Sequence, residues 1–167
     1  MKEIFVATCV GSILEKEIDG RLHILLQERN KTEAPQESGL LEIPAGKMRA
    51  GEDVFAALRR EVKEETGLHI THIFNEEQAE TYAAHGYKTN RITPFSCTQN
   101  MEAGYPIMVL LFRCRVMGTL LSKSDEAQNF QWIAVEALQA LLQKEAERFY
   151  PMHVSALFKY CNEKTSH

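Results

Sequence analysis

Four acidic residues and an arginine crowd into one short stretch: Glu52, Arg60, Glu61, Glu64 and Glu65. The surrounding residues, with Val54, Ala57, Leu58 and Val62 at three- and four-residue steps, predict a helix over Glu52–Thr66, ended by Gly67. On a helix turning about 100° per residue, Glu61 projects within about 40° of Glu65 and about 60° of Glu64. Like charges at that spacing repel. They also sit towards the helix C-terminus, where the dipole is already negative, and Lys63 is the one cation between Glu61 and Glu65. A surface helix built for stability would interleave cations and place its acids at the other end. Carboxylates gathered against the local field call for a hard cation. Oxygen-only ligands suit Mg²⁺, with Mn²⁺ as a substitute, rather than zinc. Such a set can assist water attack on a phosphate chain. Arg29, near the end of a predicted strand, and Lys47, directly after Gly46, are cations placed to touch phosphate.

The elements that must position these residues read as follows. Ile4–Leu14 and Arg21–Gln27 are two apolar, β-branched runs joined by Ile18-Asp19-Gly20, a hairpin signal. Asn30–Gly39 is a loop, and Leu40–Ile43 a short strand stopped by Pro44-Ala45-Gly46. After the acidic helix, Leu68–Phe74 and Gln78–Ala84 look extended, Tyr105–Met117 is a continuous apolar strand, and Phe130–Ile133 is another. Val135–Glu147 and Met152–Cys161 are amphipathic helices. Strands with one inserted helix, then helices, predict an α/β class with a mixed sheet covered by helices. No repeat or linker divides the 167 residues, so one domain over 1–167 is expected.

The formal net charge of −4 gives no broad basic face, so a nucleic-acid partner is not expected. No apolar run is long enough to cross a membrane. The opening residues read as a strand rather than as a signal peptide, and Cys9, Cys97, Cys114 and Cys161 form no paired motif. Reduced thiols and a cytoplasmic location are expected.

The segment from Gly46 to Leu68 resembles the Nudix box, G-x5-E-x7-R-E-U-x-E-E-x-G-U with U aliphatic, at every defined position. Seven fixed residues would fall in place by accident in roughly one chain of this length in a million. Membership of the Nudix hydrolase family would imply an α/β/α sandwich. It would also imply metal binding by Glu61, Glu64, Glu65 and the Gly46 carbonyl, and orientation of those glutamates by an Arg60–Glu52 salt bridge. Eight helical residues between Glu52 and Arg60 would span about 12 Å, so that pair needs a bend at the helix start. A further acid, as metal ligand or general base, usually lies outside the box in this family. Glu126 in Ser-Lys-Ser-Asp-Glu, six residues before Trp132, is favoured, with Glu102 as rival and Asp125 beside it.

Glu42-Ile-Pro-Ala-Gly46 is similar to the lead-in of ADP-ribose and sugar-nucleotide hydrolases. The expected reaction is therefore Mg²⁺-dependent cleavage of a nucleoside diphosphate linked to another moiety, with a nucleoside triphosphate as the alternative substrate. A nucleotide-sensing domain without turnover is the alternative from another class, against which all four box glutamates argue. The expected partner is a nucleotide-like small molecule, and a homodimer is among the expected assemblies. His69 and His72 read as strand-surface residues, not a metal pair. Ser12, Ser96 and Ser155 lack a nucleophile setting. Phe74, Tyr82, Tyr87, Phe95 and Tyr105 read first as packing, though any could stack a base.

Overall fold

The computed structural model describes residues 3–32, 34–102 and 104–165. Asp19 and Gly20 both take positive φ, 51° and 73°, the turn that lets β1 (Ala7–Ile18) fold back as β2 (Arg21–Arg29). These two strands are central to a sheet of order β10-β2-β1-β9-β5, with β5 at His69–Ile73, β9 at Ile107–Met117 and β10 at Ala127–Ala134. The β1–β9 pair is parallel, Ala7 facing Ile107 in register, whereas β1–β2, β10–β2 and β5–β9 are antiparallel. The sheet is mixed, as the sequence predicted.

Its central strands are apolar on both sides because both sides are covered. Cys9 and Ile13 of β1, Ile24 and Leu26 of β2, and Val109 and Leu111 of β9 pack with α2 (Val135–Glu145) and α3 (Pro151–Thr165). Val10 and Leu14, Leu25, and Phe112 and Cys114 pack with α1 (Val54–Thr66). Successive residues thus feed opposite cores, giving helix, sheet and helix layers. All four cysteines are free. Among the described residues no helix is long and apolar enough to cross a membrane.

Several boundaries differ from the sequence reading. Ile4–Val6 lies outside β1 and is exposed, and Met1 and Lys2 lie outside the described residues. Ala45–Lys47, read as a strand stop, forms β4, held by pairing with Cys9–Gly11; β3 (Leu41–Glu42) pairs with β2. β6 (Glu80–Ala84) continues through a His85-Gly86 turn into an unforeseen β7 (Tyr87–Arg91), and a polar β8 (Ser96–Gln99) borders β9.

Candidate active site

The acidic helix is fixed at both ends by its own sequence. Asp53 Oδ1 accepts from the amides of Phe55 (2.9 Å) and Ala56 (3.2 Å), so the helix begins at Val54 and not at Glu52. Gly67 leaves it at φ 78°, as a left-handed cap requires. Val54, Phe55, Leu58 and Val62 pin one face of α1 to the sheet, which turns its other side to a cleft.

Because Glu52 precedes the cap, the bend that its pairing with Arg60 demands is present. Arg60 holds it bidentately, Nε to Oε1 at 2.7 Å and Nη2 to Oε2 at 2.8 Å, and the Arg49 amide adds a bond at 2.9 Å. These bonds, Arg60's first, hold the Glu52 carboxyl down near 2. Arg60 Nη1 also donates to Glu61 and, at 3.2 Å, to Glu64, while Nη2 reaches the Lys47 carbonyl at 3.2 Å. One guanidinium therefore serves three carboxylates and the strand beside them.

Glu65 behaves differently. It is 5% exposed and accepts at one oxygen from Gln27 Nε2 (2.9 Å) and the Ala45 amide (3.2 Å). Gln27 Nε2 also donates to Glu42 at 3.2 Å. Burial, with Glu42 close by, pushes the Glu65 carboxyl up to about 8. Burial raises Glu42 as well, against the pull of Arg29. Arg29 is itself buried. It donates to Glu42 and, at 2.6 Å, to Glu37, and lies 3.9 Å above the Tyr150 ring. It was expected to meet phosphate; its two terminal nitrogens are occupied by carboxylates of the protein.

The cleft has a volume of about 800 Å³. Glu61, Glu64 and Arg60 line it from α1, Gly46 and Lys47 from β4, Arg29 and Lys31 from the end of β2, and Asp125 and Glu126 from the loop before β10. Lys31 Nζ pairs with Glu126 at 2.6 Å, whereas Lys47 enters no ion pair among the described residues. Glu102, the rival acid, is exposed and does not line the cleft. Of the five aromatics considered, Tyr105 does. His69 and His72 lie on edge strand β5, outside the cleft.

Of the three expected ligands, Glu61 and Glu64 face the cleft and Glu65 is buried. Among the described residues no three acidic, histidine or cysteine side chains stand close enough to hold a metal ion. Arg60 stands between Glu61 and Glu64, and Glu65 turns inward to Gln27 and Ala45. The donor chemistry nevertheless fits a hard divalent cation, since the acids on this wall offer only oxygen. Gly46 completes the fit: a Cβ there would overlap the Glu61 carboxyl and push that side chain aside. Gly46→Ala is expected to displace Glu61 and lower turnover by roughly 100-fold, the scale of lost ligand positioning, with little change in melting temperature. Turnover within threefold of the parent protein would refute this.

Gln27, Lys31, Glu42 and Asp53 were not anticipated as parts of the site. Gln27 had a signal, a polar residue ending the apolar run Ile24-Leu25-Leu26, and Asp53 stood in an N-cap position. Lys31 had none.

The NUDIX domain family model matches residues 7–153. The chain belongs to the NUDIX domain family. As a Nudix hydrolase it falls in the pyrophosphohydrolase class of enzymes. No curated protein matches this Nudix chain. Solved structures share its fold at low identity. A MutT protein from Methanosarcina mazei Go1 superposes with TM-score 0.68 at 17% identity, covering 99% of both chains. A C. elegans Ap4A hydrolase binary complex gives 0.57 at 19% identity, over 97% of this chain and 100% of that one. The NUDIX domain of Shewanella oneidensis NrtR complexed with ADP ribose gives 0.61 at 14% identity, over 98% and 90%.

Proposed function

We propose that this protein, working as one domain, hydrolyses a diphosphate bond in a nucleoside diphosphate linked to another moiety, with Mg²⁺. The observation that carries the reading is one cleft with Glu61 and Glu64, tied to Arg60, on a wall it shares with the unpaired Lys47. Its 800 Å³ suits a nucleotide-sized ligand. Glu61, Glu64 and Glu65, with the Gly46 backbone, would hold Mg²⁺, which when bound neutralises phosphate oxygens and lowers the pKa of a water.

The protein's own groups do the rest. Lys47 binds the phosphate chain as a point charge. Arg60, anchored on Glu52, orients Glu61 and Glu64. Arg29 holds the buried Glu42 rather than phosphate, and so fixes the floor on which Gln27 presents Glu65. Glu126 takes the proton from the attacking water, its pairing with Lys31 at 2.6 Å holding it beside the cleft. The Glu42-Ile-Pro-Ala-Gly46 lead-in favours an ADP-ribose or sugar-nucleotide substrate over a nucleoside triphosphate. One neighbour's complex with ADP ribose is consistent with that preference, and would equally suit a sensor.

The test is release of nucleoside monophosphate from ADP-ribose, sugar nucleotides, dinucleoside polyphosphates and nucleoside triphosphates, with and without Mg²⁺. Binding of ADP-ribose without turnover in any arm would overturn the hydrolase reading. Within the same assay, Glu126→Gln should lower kcat by about 100-fold, within the range for a general base, and Glu102→Gln by less than about twofold. The reverse order would move the role to Glu102.

A further inference from the structure

The cleft has a side branch of about 40 Å³. Arg29, Lys31, Gly46, Lys47 and Tyr105 line both spaces, so the branch opens from the cleft. Cys9, Ile107 and Val109 make its apolar walls, and Tyr150 and His153 join Arg29 in closing it. It is large enough for a water or for the edge of a ring.

Two residues that line this branch each carry a buried nitrogen with no partner among the described residues: Arg29 Nε and His153 Nε2. Both are donors. The terminal nitrogens of Arg29 are taken by Glu42 and Glu37, which leaves Nε over. His153 Nδ1 accepts from the Ile43 amide at 3.3 Å, so in the neutral ring the proton sits on Nε2. The ring does stay neutral: its burial first, and then the positive Arg29 and Lys31, pull its pKa down to about 3. Unpaired buried donors are rare and costly, and an acceptor arriving at both would relieve that cost.

We propose that this branch recognises the carbonyl oxygen at purine C6 or pyrimidine C4 of the substrate's base, so that hypoxanthine, guanine and uracil are preferred to adenine and cytosine, which carry an amino group there. A carbonyl oxygen has two lone pairs and can take both donors. An amino group in its place would turn N–H towards N–H and leave all of them unpaired, the situation in which binding sites discriminate most sharply. The proposal rests on the nucleoside-diphosphate reading above for the placement of the phosphates in the main cleft, and departs from its ADP-ribose example in the base.

The test uses pairs that differ at one position of the base. With Mg²⁺, kcat/KM for inosine diphosphate ribose should exceed that for ADP-ribose by about tenfold or more. Without metal, calorimetry should show IMP bound more tightly than AMP by a similar factor. His153→Phe removes the donor, and Cys9→Met fills the branch from its opposite wall; each should bring both ratios to within about threefold of unity. His153→Gln, which keeps an amide donor, should retain part of the preference. Equal or absent binding of IMP and AMP would overturn the slot, as would a preference that survives both His153→Phe and Cys9→Met. If neither nucleoside diphosphate ribose is hydrolysed while IMP remains preferred, the diphosphate-ribose substrate falls and the slot stands. If both are hydrolysed alike and IMP and AMP bind alike, the slot falls alone.

Discussion

Glu64→Gln should lower turnover by roughly 1,000-fold, the scale seen when one charge-stabilising group is removed from a reacting centre, while the fold is unharmed. The two halves of that expectation have separate causes. Glu64's side chain is 52% exposed, and its contacts to Arg60 (3.2 Å) and Arg49 (3.5 Å) are long and solvated. Exposed pairs of this kind are worth about 0–1 kcal/mol, and losing a charge beside Glu61 offsets even that. The functional loss is large because Glu64 is one of only two box glutamates that face the cleft. Steady-state kinetics with saturating Mg²⁺, beside a melting curve, decides the matter. Activity within tenfold of the parent, or an unfolded variant, would count against Glu64 as a ligand.

Glu65→Gln should abolish turnover to a similar degree and, in chelator, make the protein more stable. Folded Glu65 keeps its proton up to about pH 8, whereas the unfolded chain releases it near 4.5. Between those values the folded state binds more protons, so raising the pH weakens the fold. Below 4.5 both states are protonated and above 8 both are ionised, so the effect starts and ends there. The glutamine variant has no such titration at this site, and its amide oxygen can still accept from Gln27 and Ala45. The excess in melting temperature should therefore be near zero at pH 4.5, grow up to about pH 8, and then level off. Glu42 shifts in the same direction but is present in both proteins. Melts at pH 4.5, 7 and 8.5 are the measurement; a variant less stable than the parent at pH 8.5 would contradict it.

Most of the layered fold was readable because burial leaves a period in the sequence. In β1, Cys9 and Ile13 serve one core, and Val10 and Leu14 the other. β6 was read as extended, but its partner β7 had no such trace, since it is exposed along its length and has no apolar alternation to detect. β4 was hidden by Pro44-Ala45-Gly46, whose residues read as breakers. What makes it a strand is main-chain pairing with β1, to which side chains contribute no pattern.

In the site, helical spacing located the acids but not their directions. Leu58, Val62 and Glu65 follow the i, i+4, i+7 stripe that α1 buries, so the sequence did hold a sign that Glu65 turns inward. Crowding with Glu61 and Glu64 masked it. Lys31 could not have been found this way, because its value comes from Glu126, brought beside it by the pairing of β2 with β10.

The parallel pairing of β1 with β9 sets the order in which the enzyme can assemble. Ala7 must meet Ile107 across most of the chain, and contacts so distant in sequence form slowly, because loop closure precedes any gain from burial. A nascent chain that has already emitted the whole acidic motif has neither Phe112 nor Cys114 to seat α1. During synthesis and refolding the repelling carboxylates therefore wait on a helix whose floor, Val10, Leu14 and Leu25 without β9, is incomplete, and ordering of the catalytic segment should be among the last events rather than the nucleus.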